Sequence, residues 1–97
     1  ISGTTSTILA GSAGSVTSVA ASVTSVVLLG ATNRKGVSIY NDSTSILYVK
    51  CGANASASSF TAKLQPDDYY EVPFNYSGTI DGIWVAATGD ARVTEFT

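Results

Sequence analysis

Any chemistry in this chain would have to come from carboxylates, one thiol or a few basic groups, because it contains no histidine. Catalytic triads built on imidazole and histidine-bound metals are excluded with it. The acids from which a glycosidase pair would be drawn are Asp67, Asp68, Glu71, Asp81, Asp90 and Glu95. Asp67, Asp68, Asp81 and Asp90 fall where the sequence reads as turns, and there aspartate serves the backbone. A calcium site would start from the adjacent Asp67 and Asp68, but its other oxygen ligands are not clustered in the sequence. Cys51 has no disulfide partner, and Lys50 points to the opposite face of an extended strand, so the thiol reads as a packing group. Arg34 and Lys35 form the only adjacent basic pair. They are too few to bind a phosphate backbone and read as a solvated turn, or as a salt bridge across a subunit interface. No phosphate-binding glycine loop or dinucleotide fingerprint occurs. The sequons at Asn41, Asn54 and Asn75 are matches that a chain rich in serine and threonine produces by accident. The expectation is no catalytic residue, no cofactor, no metal and no nucleic acid.

The aromatic residues say more. Tyr69 and Tyr70 are adjacent, so in a strand they point to opposite faces and one must lie outside. Tyrosine suits an interface because its ring packs while its hydroxyl stays hydrated. Tyr69, Tyr70 and Tyr76 are therefore candidates for a subunit interface, with ordinary core packing or sugar stacking as the alternatives. Trp84 lies in the most strand-like segment and is expected in the core.

Composition points the same way. The chain has 97 residues, a net charge of −2 and 12% charged residues, about half the usual fraction for a soluble domain. Serine and threonine together number 26 and take the place of surface lysine and glutamate. Such a surface repels weakly and suits close packing against other proteins. A mean hydropathy of +0.25 excludes a polar disordered chain. The apolar run at residues 26–29, like every other in the sequence, is far too short to span a membrane.

These residues must be positioned by short strands. Residues 1–15 read as a flexible segment or an assembly arm anchored by Ile8 and Leu9, and residues 16–97 as one β domain. Val16, Val19, Val23, Val26 and Val27 fit a helical period, but β-branched residues and serine favour two strands, over 16–20 and 23–29. Val37 and Ile39, then Leu47 and Val49, alternate as the inward faces of a hairpin whose bend is 41–45, with Ser43 exposed in it. Further strands follow at 59–64, with Phe60 and Leu64 inward, and at 69–74, ended by Pro73. Asp81 and Gly82 read as a bulge or tight turn. Ile83 and Val85 then face the core before a hairpin at 88–90 and a last strand over 91–96. The result is an all-β fold: a compact antiparallel sandwich or small barrel of about seven or eight strands with an extended N-terminal arm.

The run from Asn33 to Thr97, with "NRKGVSIYNDSTSILYVK", "YYEVPF", "YSGTIDGIW" and "ARVTEF", resembles small structural proteins of tailed bacteriophages, and "VTSVAASVTSVVLL" resembles the lead-in to that pattern. The resemblance implies a non-enzymatic virion protein, either a capsid decoration protein or a tail or adhesion component. It implies fold-supporting or assembly roles for Arg34, Tyr40, Asn41, Tyr48, Glu71, Tyr76, Gly78, Trp84 and Glu95. The implied partners are copies of itself, as a trimer before a dimer, and other virion proteins such as the major capsid protein. The implied location is the capsid surface before the tail. In the alternative, a fibre knob, loops around Asn41, Asn54 and Asn75 bind a host glycan or receptor.

Overall fold

The computed structural model describes residues 13–97. The assembly arm expected over 1–15, with Ile8 and Leu9, lies almost wholly outside the described residues, and the last two of its positions belong to the first strand. Eight strands follow in order: β1 Gly14–Ala20, β2 Val26–Leu29, β3 Gly36–Ser43, β4 Leu47–Cys51, β5 Ala62–Leu64, β6 Tyr69–Val72, β7 Ile80–Trp84 and β8 Gly89–Phe96. The valine-rich lead-in is thus two strands and not a helix. The strands form two four-stranded sheets of order β1-β8-β3-β6 and β2-β7-β4-β5, antiparallel throughout. The pairs β1–β8, β2–β7, β3–β6 and β4–β5 nest one inside the next, which is the order of a jelly roll.

This topology overturns the expected hairpin. β3 and β4 carry the predicted inward residues but lie in different sheets, so residues 44–46 form an arch across the sandwich. β7 and β8 are likewise in opposite sheets, as are β5 and β6. Val37, Ile39, Val93 and Ala91 face Leu47, Val49, Ile80, Trp84, Leu28 and Leu64 between the sheets, with Val72 at the side. The sandwich therefore buries apolar side chains from both inner faces, the main source of its stability.

Three core expectations fail. Phe60 is 41% exposed and packs at a tilt against Tyr48, centroids 4.9 Å apart. Tyr48 pairs with Ile83 on the outer face of the second sheet, so Ile83 is only half-buried there. Val85, at 62% exposure, lies beyond the end of β7. The inward parity of β7 is Ile80, Gly82 and Trp84. Gly82 fits because Leu28 packs over it: a Cβ there would stand 2.8 Å from Leu28 Cδ1. Asp81 and Gly82 therefore continue β7, and the irregularity is on the facing β2, between Val27 and Leu29.

Buried polar side chains close both ends. Asn41, fully buried inside β3 and not in a bend, donates through Nδ2 to the carbonyls of Ser45 (2.8 Å), Leu64 (3.1 Å) and Gln65 (3.1 Å). Its Oδ1 accepts from Ser43 Oγ at 2.6 Å. One amide thus ties the β3–β4 arch to the β5–β6 arch, and the low dielectric around it strengthens each bond. At the other end Arg34 is buried, not solvated as expected. Its Nη1 donates to Gly30 O and Thr32 Oγ1, both at 3.1 Å, and its Nη2 to Gly78 O at 2.7 Å. The guanidinium also stands 5.9 Å from the Tyr76 ring centroid, within reach of a cation–π attraction.

Candidate assembly surface

The register of the first sheet lays out its outer face row by row. Ser18, Arg92, Tyr40 and Tyr69 share one row; Val16, Thr94, Ser38 and Glu71 the next; Gly14, Phe96 and Gly36 the last. Arg92 is the organiser of the first row. Its Nε donates to Asp42 at 2.9 Å and its Nη1 to Ser18 Oγ at 2.7 Å. It also offsets the like charges of Asp42 and Asp90, which stand opposite each other. Tyr40 donates its hydroxyl to Asp67 at 2.7 Å. That bond, with smaller contributions from desolvation and the charges of Asp67 and Asp42, holds the Tyr40 phenol above its usual range. In the last row the Phe96 ring lies beside both glycines, 3.4 Å from where a Cβ of Gly14 would stand. The aromatic ring covers backbone that the glycines leave bare.

Beside the exposed Ser18, Arg92 and Glu71, this face leaves apolar and aromatic residues uncovered: Val16 and Tyr69, both 64% exposed, with Phe96 and Tyr40 less so. Tyr69 and Tyr70 divide as strand parity requires. Tyr70 packs against the core, and burial, then the neighbouring Cys51, pushes its phenol up. Tyr76 is half-buried and donates to Thr79 O at 2.6 Å, so its polar group is engaged within its own chain. Lys35 is exposed while Arg34 is not, so the two basic neighbours do not act together.

The carboxylates are dispersed among structural duties. Asp67 takes the Tyr40 proton donor, Asp68 accepts from Gln65 N at 3.0 Å, and Glu95 accepts from Thr32 Oγ1. Asp81, expected in a turn, is buried beneath the loop after β4, where it accepts from Asn54 N at 2.9 Å and Ser25 Oγ at 3.3 Å. Among the described residues no three acidic or thiol groups gather to hold a metal ion. No helix of the described residues is long and apolar enough to cross a membrane.

An open cleft of about 470 Å³ lies at the Arg34 end, lined by Asn33, Lys35, Phe74, Asn75 and Ser77 among others. Of the asparagines expected to recognise a glycan, Asn75 is in this cleft, Asn54 is in the loop over Asp81, and Asn41 is buried out of reach.

Sequence reasoning missed the edge strand β1 as a surface feature. Its signal was present: the chain carries no charged residue before Arg34. Comparison with known families, curated proteins and solved structures finds no match.

Proposed function

We propose that this chain is a non-enzymatic structural subunit of a tailed-phage virion, most simply a protein that decorates the capsid and stabilises it through contacts between subunits. The observation that carries the reading is the union of a long uncharged edge strand with a weakly charged outer face on the same sheet, bearing Val16, Phe96, Tyr40 and Tyr69. Exposed apolar patches on small domains mark contact surfaces, and aromatic residues are enriched at such contacts. The jelly-roll order supports the reading by analogy, since capsid domains use it; lectin domains use it too, so the fold alone does not choose. The sequence resemblance to phage structural proteins is a further support. The preference for a trimer rests on that resemblance alone. Mass spectrometry of separated capsid and tail fractions from purified virions tests the proposal: the protein is expected with the capsid, and its absence from both fractions refutes a virion role.

A second reading has one specific observation in its favour. Phe74, 73% exposed, stands in the cleft with Asn33, Asn75 and Ser77, an aromatic face beside amides as a saccharide requires. A knob that binds host glycan through this cleft would lose binding on Phe74→Ala and would fractionate with the tail.

A further inference from the structure

The four sheet edges are not equally protected. β6 is four residues long, carries Glu71 and is followed by Pro73; β5 is three residues long and carries Lys63. β2 is four residues long and its pairing is irregular. Short length, charge, proline and bulges are the devices that keep sheet edges from pairing with other chains. β1 has none of them: it runs seven residues, "GSVTSVA", without charge, proline or a break in register. Among the described residues no strand lies on its outer side.

The alternation of its backbone is fixed. Thr97 N donates to Ala13 O and Ala21 N donates to Gly89 O, so odd-numbered residues of β1 turn their N–H and C=O groups toward β8. Gly14, Val16, Ser18 and Ala20 therefore turn theirs outward. We infer that this edge pairs with β1 of a second copy, antiparallel about a two-fold axis at Thr17, joining two four-stranded sheets into one. That register sets Val16 against Ser18 and Gly14 against Ala20 of the other copy. Every outward group of the strand then has a partner. On the inner side it sets Thr17 against Thr17 and Ser15 against Val19, and threonine pairs are favourable across strands. The outer row at the junction contains only glycine, alanine, serine and valine, so neither bulk nor like charge opposes the approach. The contact is isologous and consumes the open edge of both copies, so assembly through it closes at two. It departs from the three-fold preference above.

The inference specifies the contact within the assembly reading, and the two fail separately: a dimer in solution from a protein absent from virions would sink the virion role and leave this contact standing. Three measurements on the full chain test it. In a Cys51→Ser background, Thr17→Cys should cross-link under mild oxidation at least several-fold faster than Val85→Cys. The axis makes residue 17 a non-hydrogen-bonded pair, with Cα atoms at about 4.5 Å, within disulfide reach. Sedimentation across a wide concentration range should show monomer and dimer. Val16→Pro removes only an outward N–H, so β1 keeps its bonds to β8; it should weaken the dimer about tenfold or more while the melting curve moves little. Ser18→Lys should weaken it similarly with the backbone unchanged. A monomer at all concentrations, a trimer by mass, or equal cross-linking at 17 and 85 overturns the inference. So does a dimer abolished by deleting residues 1–12, which would make that segment the occupant of the edge.

Discussion

β1 and β3 flank the same strand and pair with it over almost the same residues, yet they have opposite fates. Ile39 of β3 sits opposite Val93 of β8, and both are fully buried. On the other side of β8, Thr17 sits opposite that same Val93 and is exposed. The difference is one of side-chain volume and of cover. β3 sends Val37, Ile39 and Asn41 inward beneath β4 and β7, whereas β1 turns Ser15, Thr17 and Val19 to the inner side at the sheet's edge, where the other sheet's edge strand β2 has only four residues. Backbone pairing makes a strand, but burial decides whether it holds the domain together. The interior strand carries stability, and the edge strand is available for a partner.

The sharpest way to break this contrast is to remove volume from each strand in turn. Ile39→Ala should cost about 2 to 4 kcal/mol, from lost transfer energy and the cavity left behind. Val19→Ala, at a half-buried site, should cost about 1 kcal/mol or less. Chemical denaturation of the two variants measures both. Equal losses would mean that β1 belongs to the core as fully as β3 does.

Asn41→Ala comes next, at about 2 to 3 kcal/mol, because it takes a donor from three carbonyls at once, those of Ser45 and Leu64 in the buried interior. Ser43→Ala should cost about 1 kcal/mol, more than the near-zero effect expected of an exposed bend residue. Ser43 is half-buried, donates to Asn41 Oδ1 and Ser45 O, and accepts from Ser45 N. A double-mutant cycle should show the two losses to be non-additive, since both act on one network. Additive losses would separate Ser43 from the tie that Asn41 makes.

These residues also mark how far the sequence could be read. The alternation of Val37, Ile39, Leu47 and Val49 revealed strands and their inward faces, because period two is a property of the strand itself. It did not reveal which strands pair. A short polar connection serves a hairpin or an arch equally well, and the choice here is made by Asn41 bonding to Leu64 and Gln65, more than twenty residues away. In β7 two parities competed. Ile83 and Val85 offered more apolar volume than Gly82, but Leu28 from another strand fills the space above the glycine, which no local pattern records. Arg34 misled for the same reason: its three acceptors come from loops on both sides of it in sequence, and one of them, Gly78, is forty-four residues distant. The exposed side of β1 was legible in its lack of charge. The pairing of its outward groups needed the register with β8.

The smallest expected effect lies on the exposed row that β1 shares with β3. The Tyr40 phenol ionises late because its hydroxyl donates to the Asp67 carboxylate, a bond that exists only while the proton is present. A pKa raised in the folded state stabilises the fold below the unfolded tyrosine value, near pH 10, and the contribution is lost as pH rises through the folded value. Because the site is open to solvent, the change in stability should be slight, and the titration itself is the better readout. Ultraviolet titration of the phenolates should show two late-ionising groups, Tyr40 and Tyr70, the latter held up chiefly by burial. Asp67→Asn should bring the Tyr40 step down toward the ordinary range and leave the Tyr70 step in place, while Tyr40→Phe should delete one late step altogether. If Asp67→Asn leaves both steps where they were, the hydrogen bond does not persist in solution. The outer row would then owe its order to Arg92, with its bonds to Asp42 and Ser18, and Tyr40 would be free to turn its ring toward whatever covers the sheet.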